Sequence, residues 1–270
     1  MKPSLLIGRD THRELADLLS QKGDLVVSGA SNETAKAMLF SHLRGFQSYP
    51  TLLVTEDDIQ VEAIAHWMHF FECETQVLPA IEDEKGNVSA EALQRFLLLM
   101  RGEDRVFLAA RHVWEQPFPL YIDLENGKLT IKIGQELHFT QFVEELLERG
   151  YSHTDDTHIS PGDYRRKGDT LDIYPIQSAY PLRIEFEFDV IKRILIVDAV
   201  DPSKTEDNGR EMEIYPASYS RTAPLVQQFP KEGLLVIDDQ DDLVTPKKGR
   251  VLRYTSFPEG AKHHAHLRYL

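Results

Sequence analysis

The spacing of apolar positions changes near residue 118 and divides the chain. Over residues 1–118, short apolar runs alternate with stretches in which apolar residues recur every three or four positions. The runs Leu25–Ser28, Thr51–Thr55, Gln76–Leu78 and Arg105–Ala109 predict strands. Between them, Ala35, Met38, Leu39, His42 and Leu43 share one helical face that stops at Gly45. Ile64, Trp67, Met68 and Phe71 share another, and Ala90–Arg101 predicts a third helix. An earlier helix is marked by Thr11 and Glu14 in capping-box spacing, by Leu15, Leu18 and Leu19, and by Gly23 as its stop. Alternating strands and helices imply a parallel sheet covered by helices.

After residue 118 the period falls to two. Leu129, Ile131 and Ile133 alternate with polar residues. A single helix follows, with Phe139, Phe142, Val143, Leu146 and Leu147 on its apolar face and Gly150 at its end. Consecutive short strands then run to about Val200. Tyr164, Leu171 and Ile173 fill one pleated surface, and Ile184 and Phe186 alternate with Arg183, Glu185 and Glu187. Gly168-Asp169 supplies a hairpin turn. The polar stretch 201–209 ends this α+β unit. Beyond it, Leu234–Ile237 is a wholly apolar strand of the kind a parallel sheet accepts, so the chain is expected to return to its first sheet. The predicted organisation is 1–118, then an insertion at 119–208, then 209–270 completing the first domain.

Composition narrows the function classes. The 270 residues carry a net charge of −14, which repels a phosphate backbone; strong intrinsic DNA binding is not expected. The single cysteine, Cys73, lies among Phe70, Phe71 and Val77 and reads as a buried structural thiol in a cytoplasmic protein. The most apolar run, Phe96–Met100, is far too short for a bilayer, so no membrane partner is expected.

Candidate chemistry is sparse. Gly29–Lys36 sits where a phosphate-binding loop would, but Thr34, Ala35 and Lys36 occupy the places of Gly-Lys-Thr, and Glu33 adds a repelling charge. Neither a nucleotide cofactor nor ATP hydrolysis is expected. Asp238 and Asp239 end the apolar strand as magnesium-holding acids do; without a phosphate loop, they are expected to cap helix amides or face solvent. His263, His264 and His266 lack the convergent fourth ligand of a structural zinc site, so no metal site is expected. No catalytic arrangement of Ser, His, Cys and Asp can be argued.

What remains is a cationic strand, Arg165-Arg166-Lys167, near a strand holding Arg183, Glu185 and Phe186. Arginines, a carboxylate and an aromatic on one small sheet are the materials of a protein-recognition face. The order Tyr151-x-x-x-Asp155, Gly162–Asp169, Leu171–Pro175 and Arg183–Phe186 resembles the UvrA-binding domain shared by UvrB and the transcription-repair coupling factor. The likeness continues through Ile191–Ile194, Asp198 and Ile214–Ala217, and Phe229-Pro230 before the next strand is similar to the coupling factor's first domain.

The resemblance implies an α/β fold: a degenerate helicase-like parallel-sheet domain with an inserted α+β UvrA-interaction domain. It implies a non-catalytic adaptor in nucleotide excision repair or transcription-coupled repair, with UvrA as partner. RNA polymerase is expected to be reached only through domains outside these 270 residues. It maps the UvrA-contacting residues onto Arg165, Lys167, Glu185 and Phe186, with His153 where UvrB has an arginine. In that mapping the cations meet acidic partner residues, Glu185 balances the arginines, and Phe186 supplies apolar contact. The alternatives are part of a longer ATP-dependent helicase or translocase, and a stand-alone regulator of a different repair partner.

Overall fold

The computed structural model describes residues 13–14, 17, 25–29, 31–44, 50–82, 89–103, 105–156, 158–198, 201–219, 221–240, 242–255 and 265–268. The expected capping box at Thr11, the helix stops at Gly23 and Gly45, and His263 and His264 lie outside these residues. In chain order the strands are β1 (Leu25–Ser28), β2 (Thr51–Thr55), β3 (Thr75–Val77), β4 (Val106–Ala110), β5 (Pro117–Pro119), β6 (Leu129–Lys132), β7 (Ser152–His153), β8 (Asp163–Lys167) and β9 (Thr170–Ile173). They continue as β10 (Leu182–Glu187), β11 (Val190–Val197), β12 (Thr205–Asp207), β13 (Glu211–Ile214), β14 (Thr222–Pro224), β15 (Leu234–Asp238), β16 (Arg250–Thr255) and β17 (Ala265–Arg268).

The chain folds as two compact units. One comprises residues 1–80, 95–118 and 223–270; the other comprises 81–94 and 119–222.

The first unit is built on a parallel sheet of order β17-β1-β16-β15-β2-β4-β3. Leu53, Leu108 and Val236 are fully buried, as both faces of a parallel sheet must be. The helices Glu33–Arg44 and Asp58–Phe70 contribute Phe40, Ile64 and Met68 to the same core. Asp57 starts the second of these helices by accepting from the Gln60 amide at 2.8 Å, which satisfies a donor the helix leaves open. The apolar run Leu234–Ile237 lies, as β15, between β16 and β2. Strand β16, which pairs with both β1 and β15, was not foreseen: its arginines at 250 and 253 hide the apolar pattern of Val251, Leu252 and Tyr254.

The second unit pairs β6 with β13 and curls a six-stranded sheet, order β12-β11-β10-β9-β8-β7, over one helix. Neighbours in that sheet are antiparallel except for β7 and β8. Tyr164, Leu171, Ile173, Ile184, Ile191 and Ile194 form its inner face and pack with Phe142 and Leu146 of the helix Phe139–Glu148. Leu147 departs from the expected apolar face; it is about half exposed. The expected boundary at 208 also differs from the observed division, because β13 pairs with β6 and the second unit runs on to Thr222.

Gly150 ends the helix with φ 84, where a side chain would strike Ser218. The next residue, Tyr151, is buried and donates its hydroxyl to the Tyr215 carbonyl at 2.8 Å. Tyr215 in turn bonds to Glu125 at 2.8 Å, so buried polar groups tie the start of the sheet to the segment after β13. Tyr151→Phe removes the buried hydrogen bond to the Tyr215 carbonyl. Urea unfolding should show a loss of about 1–2 kcal/mol with an unchanged m-value.

Candidate functional site

Residues opposite one another on neighbouring strands point to the same face of a sheet. The register places Arg165 opposite Asp172, and Asp172 opposite Arg183. A second row runs Lys167, Thr170, Glu185, Arg193. Both rows stand on the outer face, away from the core side chains Tyr164, Leu171 and Ile184.

Asp172 is the centre of this face and only 3% exposed. Its Oδ1 accepts from Arg183 Nε at 2.7 Å, while its Oδ2 accepts from Arg183 at 3.0 Å and from Arg165 at 2.7 Å. Arg165 also donates to the Asp156 carbonyl at 2.6 Å, which fastens the loop before β8. Burial alone would raise the Asp172 carboxyl. The hydrogen bonds from Arg183 and Arg165 outweigh it and hold the group below its usual range. The two guanidiniums are thereby fixed in orientation, and with one buried carboxylate between them the cluster keeps a net positive charge.

Of the residues assigned from sequence, Arg165, Lys167 and Glu185 come together on the outer face. Glu185 pairs with Arg193 at 2.6 Å, its direct cross-strand neighbour, and its charge also acts on Arg183. Lys167 is exposed and makes no ion pair among the described residues. His153 is opposite Tyr164, on the other side of the sheet from Arg165, with its ring 5.5 Å from the Tyr164 ring.

Phe186 is also on the inner side. It is 9% exposed and lies 5.4 Å from the Phe139 ring and 6.1 Å from Phe142, so the structure places it in the unit's own core. The β-bulge between Glu185 and Phe186 does not change its face. Asp172, missed as a functional candidate, had a signal in sequence as a polar residue between Leu171 and Ile173 on a strand, whereas Arg193, missed too, follows Lys192 and breaks the alternation. Which strands are neighbours, and hence which charges meet, had none.

In the first unit the expected acidic strand end is corrected. Asp238 neither caps a helix nor faces solvent: Lys36 Nζ reaches its Oδ1 at 2.7 Å and Oδ2 at 2.9 Å. Lys36 is 6% exposed and Asp238 is 3% exposed. Burial pushes the Asp238 carboxyl above its usual range against the pull of Lys36. Around the loop, the Gly29 amide donates to the Thr255 carbonyl, and the Ala35 amide donates to Asn32 Oδ1 at 2.9 Å. Amides of the kind that would cradle a phosphate are spent on the chain itself. Cys73 is half-buried, and burial raises its thiol. No group of residues able to hold a metal occurs among the described residues, and none of their helices is long and apolar enough to cross a membrane.

Removing the Asp172 carboxylate leaves two guanidiniums facing each other. Asp172→Asn should cost about 3 kcal/mol at neutral pH. Because the folded carboxyl titrates below the ordinary 3.8, its contribution is complete above that value and is lost as pH falls through the folded value. Denaturation curves between neutral pH and about pH 2 should therefore show part of the wild-type acid sensitivity missing in the variant.

The family model of the UvrB interaction domain matches residues 129–219, which lie inside the second unit. The transcription-repair-coupling factor of Staphylococcus aureus (strain USA300) is 22% identical over 241 residues, covering 84% of this chain and 20% of that protein. UvrABC system protein B of Fervidobacterium nodosum is 29% identical over 119 residues, covering 44% of this chain and 18% of that protein. Its counterpart from Thermotoga neapolitana is 33% identical over 95 residues, covering 35% and 14%. The chain thus spans about one fifth of the length of the coupling factor it matches. Residues 129–219 thus match the UvrB interaction domain, and the chain around them is similar to the transcription-repair-coupling factor.

Proposed function

We propose that this protein is a non-catalytic adaptor of nucleotide excision or transcription-coupled repair, which binds a UvrA-like protein through the outer face of the β7–β12 sheet. The observation that carries the reading is the Arg165–Asp172–Arg183 cluster within the segment matched by the UvrB interaction domain. A buried carboxylate that orients two guanidiniums on the outer face of the sheet spends folding energy on placing cations there. That arrangement suits recognition of acidic groups on a partner. Lys167 and the Glu185–Arg193 pair extend the same face. The repair role also follows the names of the relatives, the coupling factor and UvrABC system protein B.

The first unit supports the reading of a degenerate helicase-like domain. Its candidate phosphate loop is one in which Lys36 is committed to Asp238 rather than to a nucleotide. A translocase activity would require both groups to be released, so the adaptor reading is preferred over an ATP-driven one for this region. The negative net charge supports weak intrinsic affinity for duplex DNA.

Co-elution of the purified chain with UvrA on a sizing column tests the reading, and its absence at micromolar concentrations would overturn it. Lys167→Glu with Arg193→Glu reverses charge at two exposed positions. The pair should weaken the complex at least tenfold, about 1.4 kcal/mol, with a steeper loss at low salt than at high salt. Titration calorimetry with ATP should give no saturable heat at micromolar nucleotide; saturable binding lost in Lys36→Ala would reinstate a nucleotide site.

A further inference from the structure

Phe188 stands in the turn between β10 and β11 and is 94% exposed; no other described large hydrophobic residue is as exposed. Its backbone is at φ 49 and that of Asp189 at φ 60. A two-residue turn with both φ values positive belongs to Asn and Gly, whose side chains tolerate it; an aromatic residue there is an outlier that local structure does not explain. A costly conformation that is held open to solvent points to a use outside the fold.

The turn is braced. Asp189 Oδ2 lies 3.0 Å from His138 Nδ1, and its Oδ1 accepts from the Phe139 amide at 3.4 Å. The Asp189 carbonyl accepts from the Leu137 amide at 2.7 Å, and Glu187 pairs with Lys192 at 2.8 Å. The ring is thus carried on a rigid base, so fixing it in a complex costs little entropy.

Its neighbours set the chemistry. The Phe186 amide donates to the Asp169 carbonyl at 2.9 Å, which brings the β8–β9 turn to the same end of the sheet. Arg166 and Lys167, which precede the β8–β9 turn, thus lie at the end of the sheet that carries Phe188, Lys167 on the outer face and Arg166 on the opposite one. The Arg166 guanidinium lies 4.1 Å from the centre of the Phe139 ring, stacked and still exposed. An outward aromatic at a sheet end that also carries two exposed cations complements an apolar socket rimmed by carboxylates on a protein.

We infer that Phe188, and not the buried Phe186, is the apolar anchor by which this end of the sheet holds its partner, with Lys167 on the outer face and Arg166 on the other side matching acidic groups around the socket. The inference rests on the adaptor reading above and names its central contact. An exposed ring could also stack on a nucleobase. The adjacent Asp169, Glu187 and Asp189 and the net charge of −14 favour a protein.

The test measures affinity of the full chain for UvrA, melting midpoint, and binding to a single-stranded oligonucleotide at about 150 mM salt, for wild type, Phe188→Gly and Phe188→Trp. Phe188→Gly should bind at least tenfold more weakly while melting at the same temperature or higher, since glycine accepts the positive φ. Phe188→Trp should retain binding within about threefold, because it keeps an aromatic ring for the socket. If wild type binds UvrA and Phe188→Gly binds equally well, the anchor is overturned and the adaptor reading stands. A midpoint that falls together with affinity would assign the ring to folding and overturn the anchor. Phe188-dependent oligonucleotide binding would overturn it in favour of nucleic acid. If wild type does not bind UvrA, the adaptor reading fails and takes the anchor with it.

Discussion

The second unit depends on one buried carboxylate. Asp172 occupies the middle of a sheet's outer face and is almost out of contact with water, a position that costs several kcal/mol unless every lone pair is used. Arg183 and Arg165 use them, one from each neighbouring strand. The cluster therefore acts as a register lock: slipping β9 by one residue against either neighbour would bury the charge unpaired and turn Leu171 and Ile173 outward. The same bonds orient two guanidiniums, so fold specificity and the proposed recognition chemistry share one interaction.

A second buried pair serves the first unit in a different way. Lys36 and Asp238 lie on a helix and on a central strand, at places where a nucleotide hydrolase would keep groups for phosphate and magnesium. Here they neutralise each other. Burial raises the Asp238 carboxyl even beside the ammonium, which means desolvation is only partly repaid. Such a pair is a poor source of net stability and a good way of specifying which side of the helix meets β15.

Aromatic residues near the β10–β11 turn divide by the period of the strand. Phe186 follows Ile184 and Leu182 inward, where it meets Phe139 and Phe142. Two residues later the alternation is broken by a turn with positive φ, and Phe188 points to solvent. Strand period and turn geometry thus make one phenylalanine core and the other surface.

The sequence alone determined the division into a parallel α/β part and a period-two part, the main helices and most strands, and the absence of Gly-Lys-Thr from the loop at Gly29–Lys36. These are local properties: hydrophobic spacing, glycine positions and charges act within a few residues. It also carried the resemblance that residues 129–219 bear out. Strand β16 escaped notice because its arginines mask its buried residues. Only the tertiary structure decided that Asp172 joins Arg165 and Arg183, that Glu185 joins Arg193, that Lys36 joins Asp238, and that Phe186 is core while Phe188 is surface. Each of those outcomes depends on strand order and register. Pairing is set by the summed burial of whole faces, which no short stretch of sequence contains.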